Sequence, residues 1–325
     1  MPISRRTLIA TLAAGSAASL LPRAALAAYP ERPIRLIVPF AAGGNADIVG
    51  RLVGERISSA LGQPVVIDNR GGGGIGAEAV ARAAADGYTL LVGSNGPLTV
   101  NPFVQAKLGY DPLKDFAPVA LTSYVPHVII LNNKVAAKTL PELIALSKKE
   151  QLSIATSGVG SATHMTLERF KAATGANVVH IPYRSGGQLM PDLLGGTIQA
   201  AMTEFSTALP QHKGGSAHIV AIAALQRSKL AGDIATFIEA GVKDFTASSY
   251  IGILAPAGTP PDIIAQLQKA IAGGLGPGPS ASKLREMGSE IATSAQMTPE
   301  GFAAFIRIDY DRMREAAKLA GITPQ

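Results

Sequence analysis

From Pro33 onward the chain alternates short, continuous apolar runs with longer amphipathic ones, and this alternation constrains the fold more than any other feature. Ile34 to Val38, Val65 to Asp68 and Tyr88 to Val92 read as strands, separated by helical stretches from Asn45 to Leu61 and from Gly76 to Ala85. Strands that are apolar throughout are buried on both faces, and helical crossovers join parallel neighbours. The expectation is therefore an α/β fold whose parallel sheet is covered on both sides. In the first helix Ile48, Val49, Leu52, Val53, Ile57 and Leu61 share one stripe, while Asp47, Arg51, Glu55 and Arg56 lie off it. The stripe packs on the sheet.

A second series follows the proline-bearing segment Asp111 to Pro126. Its strands read as Val128 to Leu131, Leu152 to Thr156, Val178 to Ile181, Ile198 to Met202 and Ile219 to Ala224. Its helices read as Pro141 to Lys149, Thr163 to Ala173, Gln188 to Leu194 and Ser206 to Lys213. After one more strand, Tyr250 to Ala255, the chain becomes helical over Asp262 to Ala272, Ala281 to Met287 and Pro299 to Leu319. Three helices without strands cannot cover a sheet of their own, so they are expected to return to the first unit. This gives one lobe of residues 28–124 plus 250–325 and another of residues 125–249, joined by two strand crossovers that form a hinge. A rigid two-domain enzyme would show the same pattern.

Residues 1–27 stand apart. Arg5 and Arg6 precede an apolar run from Thr7 to Leu21, then Pro22, Arg23 and the small-residue site Ala25-Leu26-Ala27, the layout of a cleaved export signal. The run is shorter than the about 20 residues a bilayer requires. Ser4 to Leu8 fits a twin-arginine signal, and a Sec signal with two arginines fits equally. Either route leads out of the cytoplasm, and the periplasm is the expected location. Without this segment 298 residues remain, with a formal charge of +3. The absence of cysteine excludes disulfides, thiolate metal sites, cysteine nucleophiles and a lipid-anchoring cysteine. Few aromatics and singly scattered Lys and Arg supply neither the basic stripe nor the stacking platform of a nucleic-acid binder.

In open parallel sheets, ligands bind beyond the carboxyl ends of the strands. That rule marks four loops: Pro39 to Asp47, Gly93 to Gly96, Ser157 to His164 and Pro182 to Gly187. Gly43 and Gly44 allow close backbone approach, Asn45 or Asp47 can cap the next helix, and free amides there favour an anion. Any α/β protein uses Gly, Ser, Thr and Asn in such turns. Four of them on two lobes nevertheless form facing rims of neutral donors, suited to a small oxyanion.

Other chemistries find no support in the spacing. Gly71, Gly73 and Gly76 satisfy G-x-G-x-x-G, but the next strand ends Val92-Gly93-Ser94-Asn95 without the acidic residue a ribose needs. His127, His164, His180, His212 and His218 show no H-E-x-x-H pattern, and no G-x-S-x-G elbow occurs. Neither a metal nor a cofactor is expected.

Together these segments resemble one family, the periplasmic solute receptors of tripartite tricarboxylate transporters, called Bug or TctC-like receptors. The resemblance rests on Tyr29 to Ile34, Val38 to Gly44 with Asp47 and Arg51, Leu61 to Val65, Asn69-Arg70 with its glycine run, and Ala85 to Leu90. It continues through Asp115 to Val119, Ser157 to Ser161 with His164, Ile181 to Tyr183, Asp192 to Gly196 and Ala255 to Pro260. It implies a two-lobed Venus flytrap binding protein, type II-like, expected to act as a monomer. Such a receptor has no chemistry of its own and hands a carboxylate to membrane transporter subunits. It also implies ligand contacts from Phe40, Ala41, Gly43, Gly44, Asp47 and Ser94 on the first lobe. From the second lobe it implies Ser157, Ser161, Thr163, His164, Tyr183 and Ser185.

Departures from the family pattern bear on the ligand. Thr203-Glu204 stands where Asp-Asn is frequent, Tyr250 where Trp is common, and Gly232 to Thr236 replaces a Pro-Asp-Val-Pro-Thr element. If Thr203 and Glu204 line the cleft, Glu204 can pair with a ligand ammonium; otherwise it faces solvent. Dicarboxylates, tricarboxylates, aromatic acids and amino acids all fit the rim. The rival reading is a hydrolase or transferase using Ser157 or Ser161 with His164.

Overall fold

The computed structural model describes residues 29–319, apart from 73 and 277, together with residue 324. The export segment read at 1–27 lies outside these described residues. β1 (Ile34–Val38), β2 (Val65–Asn69) and β3 (Thr89–Gly93) are parallel in the order β2-β1-β3, connected through α1 (Asn45–Leu61) and α2 (Gly74–Ala81). α1 buries Val49, Leu52, Val53 and Ile57, and Gly62 ends it in the left-handed conformation with φ 75°. A π-helical turn, Gly96–Val100, and the short α3 (Asn101–Val104) follow β3.

The largest departure from the sequence reading is β4 (Phe116–Asn132), which takes in most of the segment read as a proline-bearing connection. Prolines withhold amide donors, and register shifts between Pro118 and Ala120 and between Leu121 and Ser123 absorb the irregularity as bulges. β4 spans both halves of the molecule. As far as Pro126 it pairs with β9 (Ser248–Pro256), and from His127 it pairs with β7 (Ala200–Glu204) and β8 (Ala217–Ile222).

The second half continues with α4 (Leu140–Lys149), β5 (Leu152–Thr156), α5 (Ala162–Thr174), β6 (Val178–Pro182), α6 (Gly186–Gly195) and α7 (Phe205–Lys213). β5 runs parallel to β6 and β7. After β9 come α8 (Pro261–Gly274), α9 (Pro279–Glu286), a two-residue β10 (Glu290–Ile291) that pairs with β4, and α10 (Pro299–Leu319).

Three cores result. One combines Leu36, Leu91, Leu121 and Ile253 with Val53 of α1, Leu267 of α8 and Phe302 of α10. In the other half, successive β4 residues point to opposite faces. Ile129 and Leu131 join Leu143, Phe170 and Phe237, whereas Val128 and Ile130 join Leu189, Phe205 and Leu209. The chain is thus a two-lobed α/β protein, with β4 running through both lobes.

Candidate functional site

The first-lobe loop is held from below by Asp47. Its carboxylate accepts from the Gly43 amide, Arg51 Nε and Asn69 Nδ2, each at 3.0 Å. Asn69 Nδ2 also reaches the Phe40 carbonyl at 3.2 Å. Burial works to raise the Asp47 pKa, but the hydrogen bonds from Arg51, Gly43 and Asn69 and the Arg51 charge bring it below the usual carboxylate value. Gly43 takes φ 86°, a left-handed conformation that glycine adopts without steric cost.

Two helix starts oppose this loop. Ser161 caps α5 by accepting the His164 amide at 3.1 Å, and Thr163 Oγ1 accepts the Ser157 amide at 3.1 Å. Ser185 caps α6 by accepting the Gln188 amide at 3.3 Å. The lobes touch directly: the Ala41 amide donates to the Arg184 carbonyl at 3.3 Å, Ser185 Oγ to the Ala42 carbonyl at 3.4 Å, and Ser206 Oγ to Asn45 Oδ1 at 3.0 Å. They are closed on one another.

Between them lies a cavity of about 30 Å³ whose lining includes Phe40, Gly44, Asn45, Ser94, Asn95, Ser157, Ser161, Ser185, Gly186, Glu204 and Ser249. The buried hydroxyls of Ser94 on one lobe and Ser157 on the other have no hydrogen-bond partner among the described residues. No Lys, Arg or His lines the cavity, and Glu204 is its one ionisable group among the described residues. Glu204 accepts from Thr203 Oγ1 at 3.2 Å, and its other oxygen lies 3.2 Å from Ser249 Oγ. Burial raises its pKa, outweighing the hydrogen bonds from its own amide, Ser249 and Thr203.

Of the residues singled out in the sequence, Phe40, Gly44, Ser94, Ser157, Ser161, Ser185 and Glu204 line the cavity. Ala41 and Gly43 lie at the lobe contact, and Asp47, Thr163 and Thr203 act behind the lining through the bonds just described. The Tyr183 hydroxyl turns outward to Asp192. His164 stacks on His180 at 4.2 Å, its Nδ1 accepts the Gly160 amide at 3.3 Å, and burial lowers its pKa.

Asn95 and Gly186 belong to loops that the strand-end rule marks, whereas Ser249 carries no sequence signal. It reaches the cavity because β9 pairs with β4, and His127 stands behind it with Nε2 at 2.8 Å from Ser249 Oγ. Among the described residues no hydrogen bond joins the Ser157 or Ser161 hydroxyl to the His164 ring. The Ser249–His127 contact does not make a nucleophile either. Burial, with Arg169 nearby, pushes the His127 pKa down to about 3, and its Nδ1 faces Thr166 Oγ1 at 2.8 Å instead of a carboxylate.

Residues 49–311 match the family described as "Tripartite tricarboxylate transporter family receptor". Protein BugT of Bordetella pertussis is 35% identical over 298 residues, covering 90% of this chain and 90% of its own. The structure of periplasmic binding protein BugD is similar with a TM-score of 0.88 at 33% identity, over 91% of this chain and 100% of its own. That of R. palustris Rpa4515 with adipate is similar with a TM-score of 0.87 at 32% identity, again over 91% and 100%.

Proposed function

Because the chain belongs to the tripartite tricarboxylate transporter receptor family, we propose that it is a periplasmic receptor that encloses a small carboxylate between its lobes and delivers it to membrane transporter subunits. One observation carries this reading: the hydroxyls of Ser94 and Ser157, unpaired among the described residues, converge from opposite lobes on a cavity that no described Lys, Arg or His lines. A hydrogen bond to a charged group contributes about 1.5 to 3 kcal/mol. Three or four on one carboxylate therefore approach the roughly 8 kcal/mol of a micromolar complex, before ordering costs. Neutral donors of this kind grip an anion and still release it.

The closed cavity of about 30 Å³ is far below the about 300 Å³ or more of a metabolite pocket. Entry requires the lobes to part, and the hinge lies where β4 and β9 cross between residues 28–124 plus 250–325 and residues 125–249. The first 27 residues direct export and are removed. The receptor acts as a monomer and without turnover, its serine hydroxyls serving as donors to the ligand.

Support also comes from the relative whose structure holds adipate, a dicarboxylate. Calorimetry of the mature protein against succinate, malate, adipate, benzoate and amino acids tests the reading. Saturable binding without product, accompanied by a smaller radius of gyration in solution scattering, is expected. Product formation, or no binding across the panel, overturns it.

A further inference from the structure

Resting on that reading, we infer that a second, wider groove, on the other face of β9 from the ligand cavity, is the docking site for an acidic, partly apolar segment of a protein partner. Alternation along β9 separates the two: Ser249 and Ile251 line the ligand cavity, whereas Ser248 and Tyr250 line the groove. Its volume of about 1300 Å³ exceeds the about 300 to 1,000 Å³ of small-molecule pockets, so a segment of chain suits it better than a metabolite. Both lobes supply its walls. Met165, Arg169 and Thr246 come from the second lobe, and Arg285, Phe305 and Arg312 from the first, so the shape of the groove depends on how the lobes sit on one another.

Charge gives the sign of the partner. Five cations, Arg169, Arg227, Lys229, Arg285 and Arg312, line the groove against the two carboxyl groups of Glu290 and Asp309. Arg227 is already engaged by Glu239 at 2.8 Å, and Asp309 accepts from Thr99 Oγ1 at 2.6 Å and Asn95 Nδ2 at 3.3 Å. Arg169, Lys229, Arg285 and Arg312 form no ion pair among the described residues. These cations are far apart in sequence, and folding brings them to one surface.

Arg169 is held ready. Its Nη1 donates to the Thr246 carbonyl at 3.0 Å, and its guanidinium lies 4.9 Å from the centre of the Phe245 ring. Burial, and the like charge of Arg312 on the opposite lobe, lower its pKa. A carboxylate seated between the two arginines would relieve that repulsion and offer each a charge-assisted hydrogen bond. Ser289, 4% exposed, and Tyr124 also line the groove, with hydroxyls that have no hydrogen-bond partner among the described residues. Phe305, Met313 and Leu225, the last 80% exposed, add apolar surface for the rest of a segment.

The test uses the mature protein carrying Gly44→Cys and Ser185→Cys. A β-carbon on Gly44 would lie 3.3 Å from that of Ser185 on the opposite lobe, near the spacing of a disulfide, and the natural chain contains no cysteine to compete. Oxidation locks the lobes and shuts the ligand cavity, so that binding is read outside it. The probe is a capped hexapeptide of glutamate, leucine and phenylalanine, followed by calorimetry. Saturable binding is expected, at least about tenfold weaker for the counterpart with glutamine in place of glutamate. Arg285→Gln with Arg312→Gln, and separately Arg169→Gln, each with unchanged melting, are expected to weaken it at least about fivefold. Lys148→Gln with Lys149→Gln, the same loss of charge at the end of α4, should stay within about twofold. Failure of the acidic peptide to bind, or an equal loss in the two double variants, overturns the inference. Inorganic phosphate binding as tightly as the peptide also overturns it, in favour of a small-oxyanion site. None of these outcomes touches the receptor reading, which the acid panel on the unlocked protein tests separately.

Discussion

Gly187 at the head of α6 packs against Gly43 of the opposite lobe so closely that a β-carbon on Gly187 would lie 2.5 Å from both the Gly43 carbonyl carbon and its oxygen. No side chain at Gly187 fits the closed lobes. Two glycines, one on each side of the cleft, thus set how near the donor-bearing loops can come.

Gly187→Ala is expected to hold the lobes apart. Ligand affinity falls by at least about tenfold, the equivalent of 1.4 kcal/mol, and the radius of gyration no longer shrinks on adding ligand. The melting temperature of the free protein changes little, because each lobe keeps its own core. Normal closure seen by scattering would show that the contact does not limit the approach.

Ser94→Ala and Ser157→Ala remove hydroxyls that have no hydrogen-bond partner among the described residues. Each is expected to weaken carboxylate binding by about 1.5 to 3 kcal/mol, roughly 10- to 150-fold. The stability of the free protein should not fall. Calorimetry paired with thermal melting separates the two effects.

Tyr183→Phe is expected to behave in the opposite way. The resemblance places Tyr183 among the ligand contacts, but its hydroxyl is bonded to Asp192. The substitution costs about 1 kcal/mol of stability and leaves affinity within about twofold. A large loss of affinity with unchanged melting would return Tyr183 to the ligand.

His127 makes stability depend on pH. Its imidazole takes up a proton near 6.5 in the unfolded chain and only near 3 in the folded one, because it is fully buried. Between those values the unfolded state binds more protons, so this contribution is complete above about 6.5 and is lost as pH falls, by about 1.4 kcal/mol per unit. Denaturant unfolding between about pH 7 and pH 4 measures it, and His127→Gln is expected to flatten the slope.

Much of this protein is legible locally. The stripe from Ile48 to Leu61 gave α1 to the residue, and the strand-end rule found the loops bearing Phe40, Ser94, Ser157, Ser161 and Ser185, which line the cavity. Helical and strand periods are properties of neighbours in sequence, as are the caps at Ser161 and Ser185. β4 was harder to read, since Pro118 and Pro126 argue against a strand unless a partner tolerates the bulges, and that partner, β9, lies more than a hundred residues along the chain.

The sequence by itself determined the α/β class, the order of the elements and the chemistry of the rims, because each depends on spacing within one element or turn. Only the tertiary structure decided that Asp47, Thr163 and Tyr183 stand behind the lining while Glu204, Ser249 and His127 meet beside it. The meeting of Glu204, Ser249 and His127 follows from the register among β4, β7 and β9, and register is fixed by packing between distant segments, where a shift of one residue would turn every side chain to the other face.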